Sequence, residues 1–231
     1  MITLYVEVPY ASFRKSYARS LAETYPFPPP ATVYGMLLSL VGERFRSSHV
    51  GVKLAFAFAK QPRISRTLRR MSGAKYGVSR TPDFIEILCD IEFLCWVDSS
   101  EETNDRTLEN RLIEAIVTPE KIDRTGLVSL GLSDDAVNGI SLISDLSQWN
   151  QQYGQWNDTF QGWHWLNPQN DGLIELPIWV DHVGAFHTRW QRYSFDRVPC
   201  WINSLPINEK FTLISLPDSL KVLENKKGTR E

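Results

Sequence analysis

This chain is poor in cysteine and histidine and, over one long stretch, has no acidic residue at all. Its three cysteines, Cys89, Cys95 and Cys200, stand in no C-x-x-C spacing, and its four histidines, His49, His164, His182 and His187, form no H-x-x-x-H pattern. Those absences exclude a zinc knuckle and give no reason to expect a metal or any other cofactor. Cys89 and Cys95 fall on what reads as one strand, about 20 Å apart and too far to pair. No apolar run approaches the roughly 20 residues that span a bilayer, and the opening Met1–Glu7 carries no basic leader. A cytoplasmic protein without membrane contact is expected. The chain shows neither an internal repeat nor a low-complexity linker.

The missing acid is more informative. The formal net charge is only −2, yet residues 44–82 hold ten basic side chains and no Asp or Glu, whereas residues 83–231 hold 12 basic and 24 acidic ones. Protein surfaces usually mix the two signs, so a run of 39 residues without a carboxylate points to a polyanionic partner. Charge alone leaves open whether that partner is nucleic acid, an acidic protein or anionic lipid.

What is present fills one sizeable core: 231 residues, 42% hydrophobic and 12% aromatic. Ile2, Leu4, Val6 and Val8 alternate with Thr3, Tyr5 and Glu7, the period of a half-buried strand. After a polar, basic loop, Pro26-Phe27-Pro28-Pro29-Pro30 feeds a helix whose Val33, Leu37, Leu40 and Val41 share one face. Proline is tolerated in a first helical turn because the N–H it lacks would be unpaired there. Gly35 inside that helix suggests close backbone approach, as in a helix packed tightly on a sheet, since alanine would favour the helix by about 1 kcal/mol.

A second strand, Gly51–Ala59, sets bulky residues on one face and alanines on the other, leaving room for packed helices. Pro62–Arg70 and Lys75–Pro82 then flank the turn signal Ser72-Gly73 and read as a two-stranded ribbon too polar for the core. A third core strand is expected over Phe84–Val97, and a helix over Asp105–Val117 capped by Asn104 or Asp105, with Leu108, Leu112 and Ile116 inward. Gly126, Gly131 and Gly139 punctuate a loop-rich passage. Beyond it lie seven of the eight tryptophans and three short strands, Gln161–Asn167, Gly172–Val180 and Ala185–Phe195. This order predicts an α+β, ferredoxin-like (RRM-related) domain with an inserted ribbon. The expected divisions are a body over 1–145 with the insertion at about 61–83, a β-rich, tryptophan-containing extension over 146–217, and a tail over 218–231 that frays.

Pro9-Tyr10-Ala11-Ser12-Phe13-Arg14 after the first strand, followed by Tyr25-Pro26-Phe27-Pro28-Pro29-Pro30-Ala31-Thr32-Val33-Tyr34-Gly35-Met36-Leu37-Leu38-Ser39-Leu40-Val41-Gly42, resembles the signature of the fifth family of CRISPR-associated (Cas) proteins, of the RAMP superfamily. The resemblance is dense over residues 1–60, consistent in element order to about residue 145, and loose beyond. It implies a subunit of a type I Cascade complex with a projecting thumb, here Lys60–Pro82. Such a subunit caps the 5′ handle of the CRISPR RNA (crRNA), contacts the backbone and large subunits, and meets target DNA through the complex.

On that reading Arg14, Lys15, Arg19, Arg63, Arg66, Arg69, Arg70, Lys75 and Arg80 are candidate phosphate contacts. Phe13, Tyr34 and Tyr76 are candidate stacking groups, since single-stranded RNA is read largely by splayed bases on aromatic or guanidinium planes. Core packing is the competing reading for Phe13 and Tyr34. Met71 is either a wedge between bases or an exposed tip residue, and the tryptophans, outside the basic run, read as core or subunit-interface residues. Some members of the resembled family cut precursor crRNA without metal, using a tyrosine, a lysine and a histidine. No histidine here has a lysine beside it; Asp181-His182 and His187 near Arg189 and Arg192 are the nearest substitutes, and such histidines are more often structural, so a noncatalytic subunit is expected, with metal-independent endoribonuclease as the alternative.

Overall fold

A computed structural model describes residues 1–18, 21–72, 81–157, 160, 162–180, 187–197, 202 and 205–216. In chain order its elements are β1 (Ile2–Ala11), β2 (Leu21–Ala22), α1 (Pro30–Leu40), β3 (Lys53–Phe58), β4 (Arg63–Ser72), β5 (Thr81–Asp98), α2 (Leu108–Val117), β6 (Gly139–Ile143), α3 (Leu146–Trp156), β7 (His164–Pro168), β8 (Ile174–Trp179), β9 (Arg189–Arg197) and β10 (Thr212–Leu213). The strands join in one sheet, in the order β6-β1-β5-β3-β7-β9-β8, with β10 on β3 and both β2 and β4 on β5. Pairing is antiparallel except between β2 and β5. The fold is thus mixed α and β, with an antiparallel sheet and few helices.

The alternation read in the first strand determines its two faces. Leu4, Val6 and Val8 are fully buried and join Leu54, Phe56, Phe58, Phe93 and Val97 in the core beneath α1 and α2. Helix α1 is buried on almost every side: Val33, Tyr34, Met36, Leu37 and Leu38 are all within it. A Cβ at Gly35 would stand 3.1 Å from the Arg46 guanidinium, so the group that comes close there is a side chain and not the backbone expected. Arg46 donates to the Ala31 carbonyl at 3.2 Å from that position.

The alanine face of β3 does make room, chiefly for tryptophan. Ala55, Ala57 and Ala59 pack with Trp96, Trp163, Trp165 and Tyr153 in a second core on the opposite side of the sheet, and Trp96 stacks on Trp165 with centroids 4.9 Å apart. Helix α3, which closes this side, was not anticipated. Its apolar anchors Leu146, Trp149 and Tyr153 are sparse, but Asp145 caps it by accepting from the Gln148 N–H at 3.0 Å. Helix α2 starts later than expected. Thr107, not Asn104 or Asp105, is its cap, accepting from the Asn110 N–H.

The ribbon and the third core strand prove to be one element. Strand β5 runs unbroken for 18 residues. Its first half pairs with β4 (Arg63↔Cys89 to Ser72↔Thr81) and its second with β3 (Phe58↔Phe93 to Lys53↔Asp98). The hand-over falls at Asp90, whose φ of 57° is left-handed, a conformation that aspartate and asparagine tolerate better than most residues. The turn expected after Ser72 lies in residues 73–80, outside the described residues, as does the tail from 217 on. Among the described residues no helix is long and apolar enough to cross a membrane.

Candidate nucleic-acid interface

Among the described residues strand β4 pairs only with β5. Arg63 to Arg69 are all exposed, as expected of a strand too polar to be buried. The register sets Arg66 opposite Glu86, and β5 answers the basic strand with carboxylates. Arg63 pairs with Asp90, Lys60 lies 4.0 Å from Asp90 and 3.7 Å from Glu92, and Arg66 lies 3.0 Å from Glu86. Elsewhere in the basic run, Lys53 pairs with Asp98 and Glu101. The stretch without a carboxylate is therefore partly neutralised by acids that follow it in sequence and adjoin it in space. Arg69 is exposed beside a register shift between Leu68 and Arg70.

Glu86 connects the ribbon to the loop that follows β1. It is 8% exposed. One of its oxygens takes Arg66, the other accepts from the Thr24 N–H at 3.2 Å, and its backbone carbonyl accepts from the Ser12 hydroxyl at 2.8 Å. Thr24 in turn accepts from the Phe13 N–H at 2.9 Å. On the other side, buried Asp135 accepts from the N–H groups of Ser12 (2.8 Å) and Leu132 (2.9 Å). Burial raises the Asp135 pKa despite those two donors. The loop is therefore pinned at both flanks.

Between this loop and the β8–β9 hairpin opens a groove of about 520 Å3. Phe13 and Tyr25 form its inner wall, Leu132 and Trp190 its outer walls, and Arg14 stands at its rim. Arg14 is exposed and donates to the Ala18 carbonyl at 3.1 Å. Lys15 pairs with Glu23 at 3.3 Å.

The candidate residues thus separate into groups. Arg63, Arg66 and Arg69 share the exposed strand, while Arg14 and Lys15 lie on the pinned loop below it. Tyr34 corrects the expectation of a stacking surface: it is 0% exposed, and its hydroxyl donates to the Arg46 carbonyl at 2.8 Å inside the core. Burial pushes that hydroxyl's pKa up. Phe13, 4% exposed, is also a core residue, with its edge in the groove. Arg19, Lys75, Tyr76 and Arg80 lie outside the described residues, and of Arg70 and Met71 only the backbone, in β4, is described. Trp190 was missed as a site residue. It is 39% exposed and meets Tyr25 at 6.1 Å, and nothing in the sequence distinguished it from the buried tryptophans.

His49, the one histidine inside the basic run, is held in an interior network. Arg111 can only donate, so its 2.9 Å contact makes His49 Nε2 the acceptor, and Nδ1–H donates to Glu102 at 2.7 Å. Arg111 also donates to Glu43 at 2.7 Å and to the Val41 carbonyl at 3.0 Å. Burial acts to raise the Glu43 pKa, but Arg111 and the Phe45 N–H outweigh it and hold the carboxyl at about 2. Both ring nitrogens of His49 are thus engaged, and the network ties the end of α1 to α2. Among the described residues no group of His, Cys, Asp and Glu is placed to hold a metal ion.

Comparison with known proteins gives a consistent result. The family described as CRISPR-associated protein (Cas_Cas5) matches residues 1–81. A CRISPR-associated protein Cas5 from Myxococcus xanthus (strain DK1622) is 35% identical over 199 residues, covering 83% of this chain and 88% of that protein. Two solved structures share the fold. A chain described as a CRISPR RNA-guided surveillance complex superposes with a TM-score of 0.57 at 12% identity, covering 90% of this chain and 95% of that one. The crystal structure of a Cas protein gives 0.51 at 13% identity, covering 86% and 94%.

Proposed function

The chain belongs to the Cas5 family of CRISPR-associated proteins, and from that premise we propose that it is a noncatalytic subunit of a type I Cascade complex that caps the crRNA 5′ handle and helps position the large subunit for RNA-guided DNA recognition. The observation that carries the reading is β4: an exposed strand bearing Arg63, Arg66 and Arg69, held against the body by β5 alone. Basic side chains on such a strand can follow a phosphate backbone, with an affinity that falls steeply with salt. The body over 1–145 is the ferredoxin-like part, since β1, α1, β3, β5, α2 and β6 follow that fold's chain order and their spatial order β6-β1-β5-β3 is its strand order. The ribbon at about 61–83 is its thumb, and the extension over 146–217 continues the sheet beyond β3. The partners on this reading are the handle RNA, the backbone subunit and the large subunit, in the cytoplasm.

The noncatalytic assignment is supported by the engagement of His49 on both nitrogens and by the burial of His164, 9% exposed and stacked on Phe195 at 5.3 Å. A general acid or base needs a ring nitrogen that can reach the scissile phosphate, and both nitrogens of His49 are already engaged; His182 lies outside the described residues. The test mixes the purified chain with labelled repeat RNA carrying the 5′ handle, in EDTA, and scores paired native and denaturing gels. A shift specific to repeat RNA with the RNA intact is expected. Cleavage at one position would overturn the assignment and make the chain a processing endoribonuclease.

A further inference from the structure

Resting on that reading, we infer that the groove between the pinned loop and the β8–β9 hairpin is a pocket for one unstacked RNA base, with Trp190 as its stacking wall and Arg14 on the adjoining phosphate. Three observations converge. The first is shape and lining. The groove of about 520 Å3 lies in the size range of small-molecule sites and is walled by Phe13, Tyr25, Leu132, Pro177 and Trp190. Tyr25 and Trp190 meet at 58° with centroids 6.1 Å apart, forming a corner in which a flat ring laid on the indole is bounded by the phenol. Thr32 and Thr188 add hydroxyls that can meet a base edge.

The second is charge. Among the described lining residues Arg14 is the one charged side chain. A nucleotide offers an aromatic ring to the walls and an anion to Arg14. Base–aromatic stacking is tolerant of sequence and adds affinity at each base so placed.

The third is continuity. Ser12 and Thr24 bind Glu86, which also binds Arg66 on β4. Arg66 on β4 and the loop that carries Arg14 are therefore joined through one residue, Glu86, which fixes their relative position. The loop is fixed by Glu86 and Asp135, so the pocket exists before RNA arrives and costs little ordering on binding.

The test is a panel of repeat-handle RNAs, each with one abasic residue, titrated against the full chain as wild type, Trp190→Ala, Trp190→Phe and Leu132→Trp. At one position the abasic change is expected to weaken wild-type binding about tenfold. Trp190→Ala should lose the same factor on intact RNA and nothing more on that abasic RNA, while Trp190→Phe keeps most of the affinity. Leu132→Trp, which narrows the groove from a residue 36% exposed, should mimic Trp190→Ala without removing a core contact. If Trp190→Ala binds intact RNA as wild type does, or if its loss adds to that of every abasic position, the pocket is overturned while handle binding stands. If wild type shows no preference for repeat RNA over unrelated RNA of equal length, the parent reading fails and the pocket falls with it.

Discussion

Replacing Asp90 by asparagine should strengthen RNA binding, although it removes a group from the basic ribbon. The Asp90 carboxylate holds Arg63 and lies 4.0 Å from Lys60. Both cations must exchange it for a phosphate before they contribute to RNA affinity. Asparagine tolerates the left-handed φ of 57° about as well as aspartate, and the lost pairs are exposed, so stability should change by less than about 1 kcal/mol. If the freed charge makes one further phosphate contact, the dependence of log K on log salt steepens by about 0.7, the value for single strands. Carried from a 1 M reference to 0.15 M salt, that slope gives about fourfold tighter binding. The assay is fluorescence anisotropy of labelled repeat RNA across a potassium chloride series. Glu114→Gln serves as control, because Glu114 on α2 pairs with Arg106, outside both the ribbon and the groove. Unchanged affinity and slope for Asp90→Asn, or an equal change for Glu114→Gln, would refute the reasoning.

Charge reversal at Arg69 and Arg70 should lower the salt slope by about one to two in the same titration, and an unchanged slope would count against the thumb. Glu43 is held at about 2 instead of 4.5, so its contribution is present above about pH 5 and disappears as pH falls through 2. That displacement corresponds to about 3 kcal/mol, and solvent screening at a side chain that keeps 15% of its surface accessible reduces it to about 1–2 kcal/mol. Urea unfolding from pH 6 to 2.5 should therefore show the stability gap between wild type and Glu43→Gln closing as the solution is acidified; a gap independent of pH would contradict the assignment. Gly51 has a φ of +100°, and a Cβ there would meet the Glu101 carbonyl at 2.5 Å. Gly51→Ala should cost about 2–4 kcal/mol in the same denaturation assay at neutral pH.

Period-2 and helical patterns were legible wherever one face of an element is buried, which is why β1, α1, β3 and β5 lie close to where the sequence put them. Helix α3 escaped because tertiary packing, not amphipathic density, holds it: Trp149 stacks on Tyr153 at 4.9 Å, and both rest on Trp163. Tyr34 looked available because tyrosine can face either way, and only the position of Arg46 shows that its hydroxyl is used inside. The charge asymmetry was visible, but its compensation was not, because Glu86, Asp90 and Glu92 come after the basic run and meet it only through the register of β4 on β5. The groove was invisible for a similar reason, since Phe13, Leu132 and Trp190 are far apart in sequence and meet through the sheet order.

That compensation bears on selectivity. A guanidinium already paired with a carboxylate gains from phosphate only the difference between two similar interactions, whereas an unpaired cation gains the whole counterion-release term. On the proposed reading, Arg63 and Arg66 are oriented by Asp90 and Glu86 but contribute modest net affinity. A random RNA that merely drifts against β4 collects little. A strand whose phosphates follow Arg66 to Arg69 while one base enters the groove beside Trp190 collects several such differences together with the stacking term. Affinity on that reading depends on simultaneous fit more than on bulk charge, in keeping with a net charge of only −2.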